Sequence, residues 1–305
     1  MKLKFDIQNK SQPDPFIFED NGKFYLYVTA KDGVEAYQSD DILGEWKYIG
    51  IVTEINEERK NYWAPSVIKI DETYYMYVSY QSKDGWQEMR VFSATSPCGE
   101  FKLKNQLYNG FSIDSHVVKN DSGLFMFLAL NNLDTDRVGT RVYVDKMLDP
   151  LTPENKPKEI VVPTFPQEKF TPQCTPERDW YTIEGPFYFY ENGWHYLMYS
   201  GGCYQDDTYH IGYAVAKTDE QDLTKIDYIK SINDGGFNPV IIKNEFEEGT
   251  GHHSVIKLDG EYYAVYHGRD YEKNNDKYTE RRTARICKLK VLDGVITAER
   301  FEDKL

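Results

Sequence analysis

Three carboxylates and one histidine stand at matching places in a repeated pattern of this chain, a combination able to break a bond by proton transfer. Asp14 lies eight residues ahead of Gly22, Asp114 nine ahead of Gly123, Glu184 nine ahead of Gly193 and His252 eight ahead of Gly260. Each glycine belongs to a turn between two aromatic-rich runs. A further copy carries Ala64 at the same place, ahead of the turn at Asp71-Glu72-Thr73. If the copies surround one axis, the ionisable groups meet in one small volume. Stability alone disfavours that meeting, because buried like charges repel and lose their hydration. Hydrolysis of a glycosidic bond uses one carboxylic acid to protonate the departing oxygen and one carboxylate to activate water or attack directly. The two need different protonation states at one pH, and a third carboxylate near the acid raises its pKa by repulsion. Asp14, Asp114 and Glu184 are the candidates for those three roles.

The elements that must bring them together are strands. The 25 Tyr and 16 Phe fall in short period-two runs such as Phe24-Tyr25-Leu26-Tyr27-Val28, the mark of half-buried β-strands. No segment keeps a helical period over three turns. Five units open at Asp14-Pro15, Trp63-Ala64-Pro65, Ile113-Asp114, Ile183-Glu184-Gly185-Pro186 and Gly251-His252-His253. Asn21-Gly22, Asn192-Gly193 and Asp259-Gly260 supply tight hairpin turns, and Asp121-Ser122-Gly123 a slightly longer loop. Ala36-Tyr37-Gln38-Ser39 before Gly44-Glu45-Trp46 returns as Val91-Phe92-Ser93-Ala94 before Gly99-Glu100-Phe101. The expected fold is all-β: one five-bladed β-propeller catalytic domain over residues 1–305, each blade a four-stranded antiparallel sheet. A β-sandwich gives no reason for polar residues to recur at one place in every hairpin. The stretch from Pro150 to Pro176 holds seven of the 13 prolines; apart from Ile160-Val161-Val162 it is expected as an ordered surface loop walling one side of the channel mouth. Val142-Tyr143-Val144 and Ile160-Val161-Val162 are expected as outer strands of the third blade.

The net charge of −14 argues against nucleic acid and anionic membranes as partners, since both would be repelled. A neutral small oligosaccharide fits better. The longest apolar run, Leu124 to Leu130, is too short to span a bilayer. The amino-terminal residues lack an apolar stretch, so a cytoplasmic location is expected. Cys98, Cys174, Cys203 and Cys287 are scattered without C-x-x-C spacing and are expected to be reduced. The oligomeric state is left open.

Several short motifs run in order along nearly the whole chain: Asp14-Pro15, Trp63-Ala64-Pro65-Ser66-Val67, Ser112-Ile113-Asp114, and Glu184-Gly185-Pro186 before Tyr199-Ser200-Gly201-Gly202. Gly249-Thr250-Gly251-His252-His253-Ser254 and Tyr266-His267-Gly268-Arg269 complete the series. In that order and spacing the chain resembles glycoside hydrolase family 43, whose members are five-bladed propellers that hydrolyse arabinose- or xylose-containing glycans with inversion. The resemblance implies Asp14 as general base, Glu184 as general acid, and Asp114 as the residue that tunes the acid and holds the sugar. Inversion requires base and acid carboxyls roughly 6.5–9.5 Å apart. The resemblance also implies that His252 helps hold an axial cation, usually Ca²⁺, largely through water, although calcium prefers oxygen ligands. A zinc site from His252, His253 and His267 lacks helical ligand spacing. Substrate contacts are expected from Trp63 as a flat apolar surface, from Ala64 as a small residue that leaves space, and from His253. An arginine beside the acid is expected from either Arg282 or Arg285. The run Ser115-His116-Val117-Val118 departs from the aromatic residue that often follows the third-blade Asp in relatives, which bears on the substrate. The resulting reading is an inverting, exo-acting glycosidase releasing terminal α-L-arabinofuranose from arabino-oligosaccharides. Its rivals are a β-xylosidase acting on xylo-oligosaccharides, a non-catalytic carbohydrate-binding propeller, and a retaining fructosyl enzyme.

Overall fold

The alternating aromatic runs pair into antiparallel hairpins, and the hairpins extend into an all-β propeller. The computed structural model describes residues 1–56, 58–81, 85–170, 179–233, 236–272, 277–279 and 281–300. Among them five sheets of four or more strands follow one another along the chain. Their first strands are Phe16–Asp20, Lys60–Ile70, Ser112–Asn120, Ile183–Glu191 and Glu247–Leu258. Each pairs with the strand after its hairpin turn: Lys23–Val28, Thr73–Gln81, Gly123–Asn132, Trp194–Gly201 and Glu261–Glu272.

Hydrogen bonds join every neighbouring pair of sheets near these first strands. The Ile17 N–H donates to Ser254 Oγ, which donates to the Pro15 carbonyl, tying sheet one to sheet five. Ala30 and Tyr62 exchange backbone bonds between sheets one and two. Ser66 Oγ meets Ser115 Oγ at 3.2 Å between sheets two and three. The Tyr188 N–H donates to His116 Nδ1 between three and four, and the His252 N–H to Ser200 Oγ between four and five. The circuit closes, so residues far apart in sequence open onto one axis. The amino-terminal residues add a second link between sheets five and one, where the Leu3 N–H donates to the Ala284 carbonyl at 3.0 Å.

The aromatic content has a packing reason. Five apolar clusters lie between adjacent sheets, such as Tyr25, Tyr27, Met76, Val78 and Phe92 between sheets one and two. The others fill the four remaining seams. Sheets that radiate from an axis diverge outward, so wide rings are needed to fill each wedge, every buried ring contributing about 1.5–3 kcal/mol. Trp46 and Phe101, the matched endings noticed in the sequence, are both fully buried.

The expected uniform plan of four strands per sheet does not hold. The sheets contain five, four, seven, four and five strands. Lys4–Phe5 pairs in parallel with Glu45–Ile51 and covers the outer edge of sheet one. On sheet three, Thr152–Pro153 and Lys158–Val161 both pair with Gly139–Asp149. An exposed outer edge invites pairing with other chains, and these additions cover it. The proline-rich stretch thus holds the strand expected around Ile160-Val161-Val162, and short strands at Thr152–Pro153 and Lys169–Phe170 take the place of parts of the expected loop. Its Glu168 is fully buried, accepting the Thr164 and Phe165 N–H groups and the Lys230 ammonium. Residues 171–178, with Cys174, lie outside the described residues. Cys98, Cys203 and Cys287 form no disulfide. No helix among the described residues is long and apolar enough to cross a membrane.

Gly139 shows how tightly the added strands are seated. Its φ is +144°, and a Cβ there would lie 1.8 Å from the Tyr181 carbonyl oxygen, its parallel partner. Gly139→Ala is expected to cost more than about 2 kcal/mol, read as a lowered urea midpoint. An unchanged midpoint would refute this account of the contact.

Candidate active site

One irregularity is repeated around the axis and builds the site. In four first strands the register slips so that two residues face one on the partner between paired ends: Trp63 to Ser66, Ile113 to His116, Glu184 to Phe187 and Gly251 to Ser254. The extra residue makes a β-bulge, which lets successive side chains escape strict alternation and aim toward the same side. Ile113 and Asp114 accordingly line the same pocket. The first of the two residues in each bulge is left-handed: Ala64, Asp114, Gly185 and His252 have φ between +45° and +58°, as does Asp14 at the mouth of sheet one. That conformation costs a side-chain-bearing residue on the order of 1–3 kcal/mol and persists where the surroundings enforce it.

The bulges correct the register read from the sequence. Gly185, not Glu184, is the equivalent of Asp14, Ala64, Asp114 and His252. Glu184 occupies the preceding slot, shared with Trp63, Ile113 and Gly251. Both slots face the mouth, so the carboxylates still meet. They line a pocket of about 140 Å³ together with Thr29, Trp63, Ile113, Tyr204, Tyr209, His252 and Arg282.

Asp14 is held from several directions. Thr29 Oγ1 donates to its Oδ2 at 2.6 Å and accepts the Ala64 N–H at 2.7 Å. Arg282 Nη1 donates to Oδ1 at 3.2 Å, and the Asp14 N–H donates to His267 Nδ1 at 3.1 Å. Burial alone would raise this carboxyl, but Arg282, His252 and His267 outweigh it and hold it well below the usual carboxylate range. Glu184 moves the other way: burial pushes it up to about 7, with the Asp14 charge adding to the rise, against the Tyr209 hydrogen bond and Arg282. Asp114 is raised by burial and then by the charges of Glu184 and Asp14, opposed by the Gly185 N–H on its Oδ2 at 3.1 Å. Both Asp114 and Glu184 thus hold a proton more tightly than an ordinary carboxyl. His252 is lowered by burial, against the pull of Asp14 and with the Arg282 charge adding to the fall.

The other expected contacts divide. Trp63 lines the pocket and is 38% exposed, as a surface for a sugar ring must be. Arg282 lies in the pocket over the Tyr204 ring. Arg285 does not: it is buried in an ion-pair network with Glu247 and Asp270. Ala64 and His253 do not line the pocket either. Both border a smaller axial cavity beneath it, of about 10 Å³, with Phe16 and Phe187. Alternation beyond the bulge turns the His253 side chain away from the mouth, and Ala64 contributes its backbone N–H instead. The proline-rich stretch supplies no described pocket residue, but its Phe170 packs against Tyr204 at 6.2 Å between ring centroids.

Thr29, Ile113, Tyr204, Tyr209 and His267 escaped the sequence reading. Thr29, Tyr204, Tyr209 and Arg282 share a signal that could have found three of them. All lie between the second and third strands of their sheets, a connection that returns to the end where the first strand begins.

A metal at His252 meets a short donor set. Asp114, Glu184 and His252 offer atoms within 4.8 Å of one another. Calcium takes six to eight oxygens, whereas this group offers one imidazole and two carboxyls. The axial cavity has room for about one water and none for a hydrated ion. These residues alone do not fit a calcium site. Nor do the histidines form a zinc cluster: among the described residues His252 groups with Asp114 and Glu184, not with His253, and His267 Nδ1 accepts the Asp14 N–H.

Comparison with known proteins agrees with this geometry. The chain is 24% identical over 284 residues to a β-D-galactofuranosidase of Aspergillus niger, covering 85% of this chain and 74% of that one. It is 26% identical over 227 residues to an extracellular exo-α-(1→5)-L-arabinofuranosidase of Streptomyces avermitilis, covering 69% of this chain but only 43% of the relative. Among solved structures it resembles a thermostable family-43 glycoside hydrolase, with a TM-score of 0.81 and 27% identity over 97% of this chain and 94% of the other. The α-L-arabinofuranosidase of Lactobacillus brevis shares the fold, with a TM-score of 0.75 and 21% identity over 94% and 93% of the two chains. Residues 6–296 match the sequence profile of glycosyl hydrolases family 43, and with its carboxylates gathered in one pocket the chain belongs to that family as a glycoside hydrolase of the arabinofuranosidase or xylosidase type.

Proposed function

We propose that this enzyme releases terminal α-L-arabinofuranose from arabino-oligosaccharides with inversion, and that its five sheets are the blades of one five-bladed catalytic domain. The observation that carries this reading is a small pocket whose carboxyls are pushed to opposite protonation states. Asp14, ionised and oriented by Thr29 and Arg282, takes a proton from water as the water oxygen bonds the anomeric carbon. Glu184, protonated, gives its proton to the departing glycosidic oxygen, which keeps the electron pair of the broken bond. The Asp14 charge adds to Glu184's proton affinity, and Asp114 accepts from a sugar hydroxyl.

Size supports exo action. At about 140 Å³ the pocket is well below the ~300–1,000 Å³ of sites for larger ligands, and suits one sugar ring. Both curated relatives described above are named for furanosides, which favours arabinofuranose over xylose. A solved β-xylosidase shares the fold and keeps the xyloside as the second reading. With 4-nitrophenyl α-L-arabinofuranoside and β-D-xylopyranoside, kcat/KM is expected to be at least ~10-fold higher for the arabinoside, one contact's worth of discrimination. The first product anomer seen by NMR should be β. Preference for the xyloside selects the second reading, and an α product replaces the base with a nucleophile. Tight sugar binding without turnover would favour a binding protein.

A further inference from the structure

In three of the four bulges the residue ahead of the left-handed position points a side chain at the pocket: Trp63 in sheet two, Ile113 in sheet three and Glu184 in sheet four. In sheet five that slot holds Gly251 and has no side chain to offer. The Tyr209 ring fills it from the neighbouring sheet. A Cβ on Gly251 would lie 2.1 Å from Tyr209 Cε1 and 2.3 Å from Cδ1, so the glycine is what admits the ring. Tyr209 is 1% exposed and stacks on His267 at 5.7 Å with 15° between planes. Arg269 Nη1 donates to the Gln205 carbonyl at 2.7 Å, and the Cys203 N–H to Thr208 Oγ1 at 3.0 Å, fixing the connection that carries the ring. Its hydroxyl is thereby aimed at Glu184 Oε1, to which it donates at 2.7 Å.

We infer that Tyr209 is a positioning residue that selects which Glu184 oxygen delivers the proton. This rests on the acid role proposed above for Glu184. A carboxylic acid accepts best at its carbonyl oxygen, so a donor fixed on Oε1 leaves the proton on Oε2. That proton passes to the glycosidic oxygen as the bond to the anomeric carbon breaks and its electron pair stays on the leaving oxygen. Glu184 is left as a carboxylate, and the Tyr209 hydrogen bond, now to a charged acceptor, strengthens. An interaction stronger in the transition state than in the ground state raises kcat rather than binding.

Tyr209→Phe keeps the ring in the Gly251 gap and removes only the hydroxyl. On an arabino-oligosaccharide, whose leaving group needs protonation, kcat is expected to fall ~10–100-fold with KM little changed. On a 2,4-dinitrophenyl glycoside, whose leaving group departs unprotonated, the fall should be under ~3-fold. Equal losses on both substrates, or none on the oligosaccharide, would overturn the assignment. A double-mutant cycle reads the same contact without turnover: Tyr209→Phe should lower the urea midpoint in the parent and leave it unchanged in a Glu184→Ala background. Equal shifts in both backgrounds would also overturn it. If the parent hydrolyses neither glycoside, the arabinofuranoside reading fails while the cycle still decides the Tyr209 contact.

Discussion

Replacing Glu184 by Gln is expected to lower kcat on arabino-oligosaccharides by ~10²–10⁴-fold, the usual contribution of a general acid, with KM changed little. Gln keeps the side chain's length and an oxygen that can accept from Tyr209, so the pocket keeps its shape and loses only the transferable proton. The same change should leave the urea midpoint unchanged or raised. Glu184, half-buried, and Asp114, buried, lie close together, and each is pushed up by desolvation, Asp114 also by the Glu184 charge. A neutral amide relieves that repulsion, since uncompensated buried charge costs stability. Activity and stability therefore part company at this residue. Steady-state kinetics and urea denaturation on one preparation test both halves. A variant that keeps full turnover removes Glu184 from the acid role, and one that loses activity only because it unfolds removes the argument for repulsion.

The pH profile should be lopsided. The acid must be protonated, and burial lifts Glu184 to about 7, so kcat/KM falls about tenfold per unit once the pH passes that value. The base must be ionised, and Arg282, His252 and His267 overcome burial to hold Asp14 well below the usual carboxylate range. The acid limb should therefore appear only below about pH 4, where ordinary carboxylates titrate. Arg282→Gln tests the cause of this asymmetry. The Arg282 charge lowers both Asp14 and Glu184, so its loss should move both limbs to higher pH. An acid limb that stays in place in this variant would show that the guanidinium does not hold the base ionised.

The local structure was written in the order of the residues. Period-two aromatic runs such as Phe24 to Val28, with turn residues such as Asn192-Gly193, announced the hairpins, because alternation and left-handed turn chemistry are properties of neighbours in sequence. The recurrence of Asp14, Asp114 and His252 announced a shared site for the same reason. Even the register could have been caught. Counting to the second residue of each turn, the left-handed positions Asp14, Ala64, Asp114, Gly185 and His252 all stand eight before Gly22, Glu72, Ser122, Gly193 and Gly260, which sets Glu184 one slot out of line.

Other features depended on which surfaces meet once the sheets close. Arg282 and Arg285 are indistinguishable as residue types three positions apart, yet one faces Asp14 and the other Glu247. His252 and His253 are adjacent, yet only His252 reaches the pocket at the mouth, while both border the cavity beneath it. Tyr209 reaches Glu184 only because Gly251, on another sheet, has no side chain. The sequence by itself determined the strands, the turns and the set of ionisable groups, since these follow from short-range steric preference and side-chain chemistry. Only the tertiary structure decided which groups face the pocket and how their proton affinities separate. Those depend on burial and on charges a few ångströms away, supplied by residues as distant along the chain as Asp14 and Arg282.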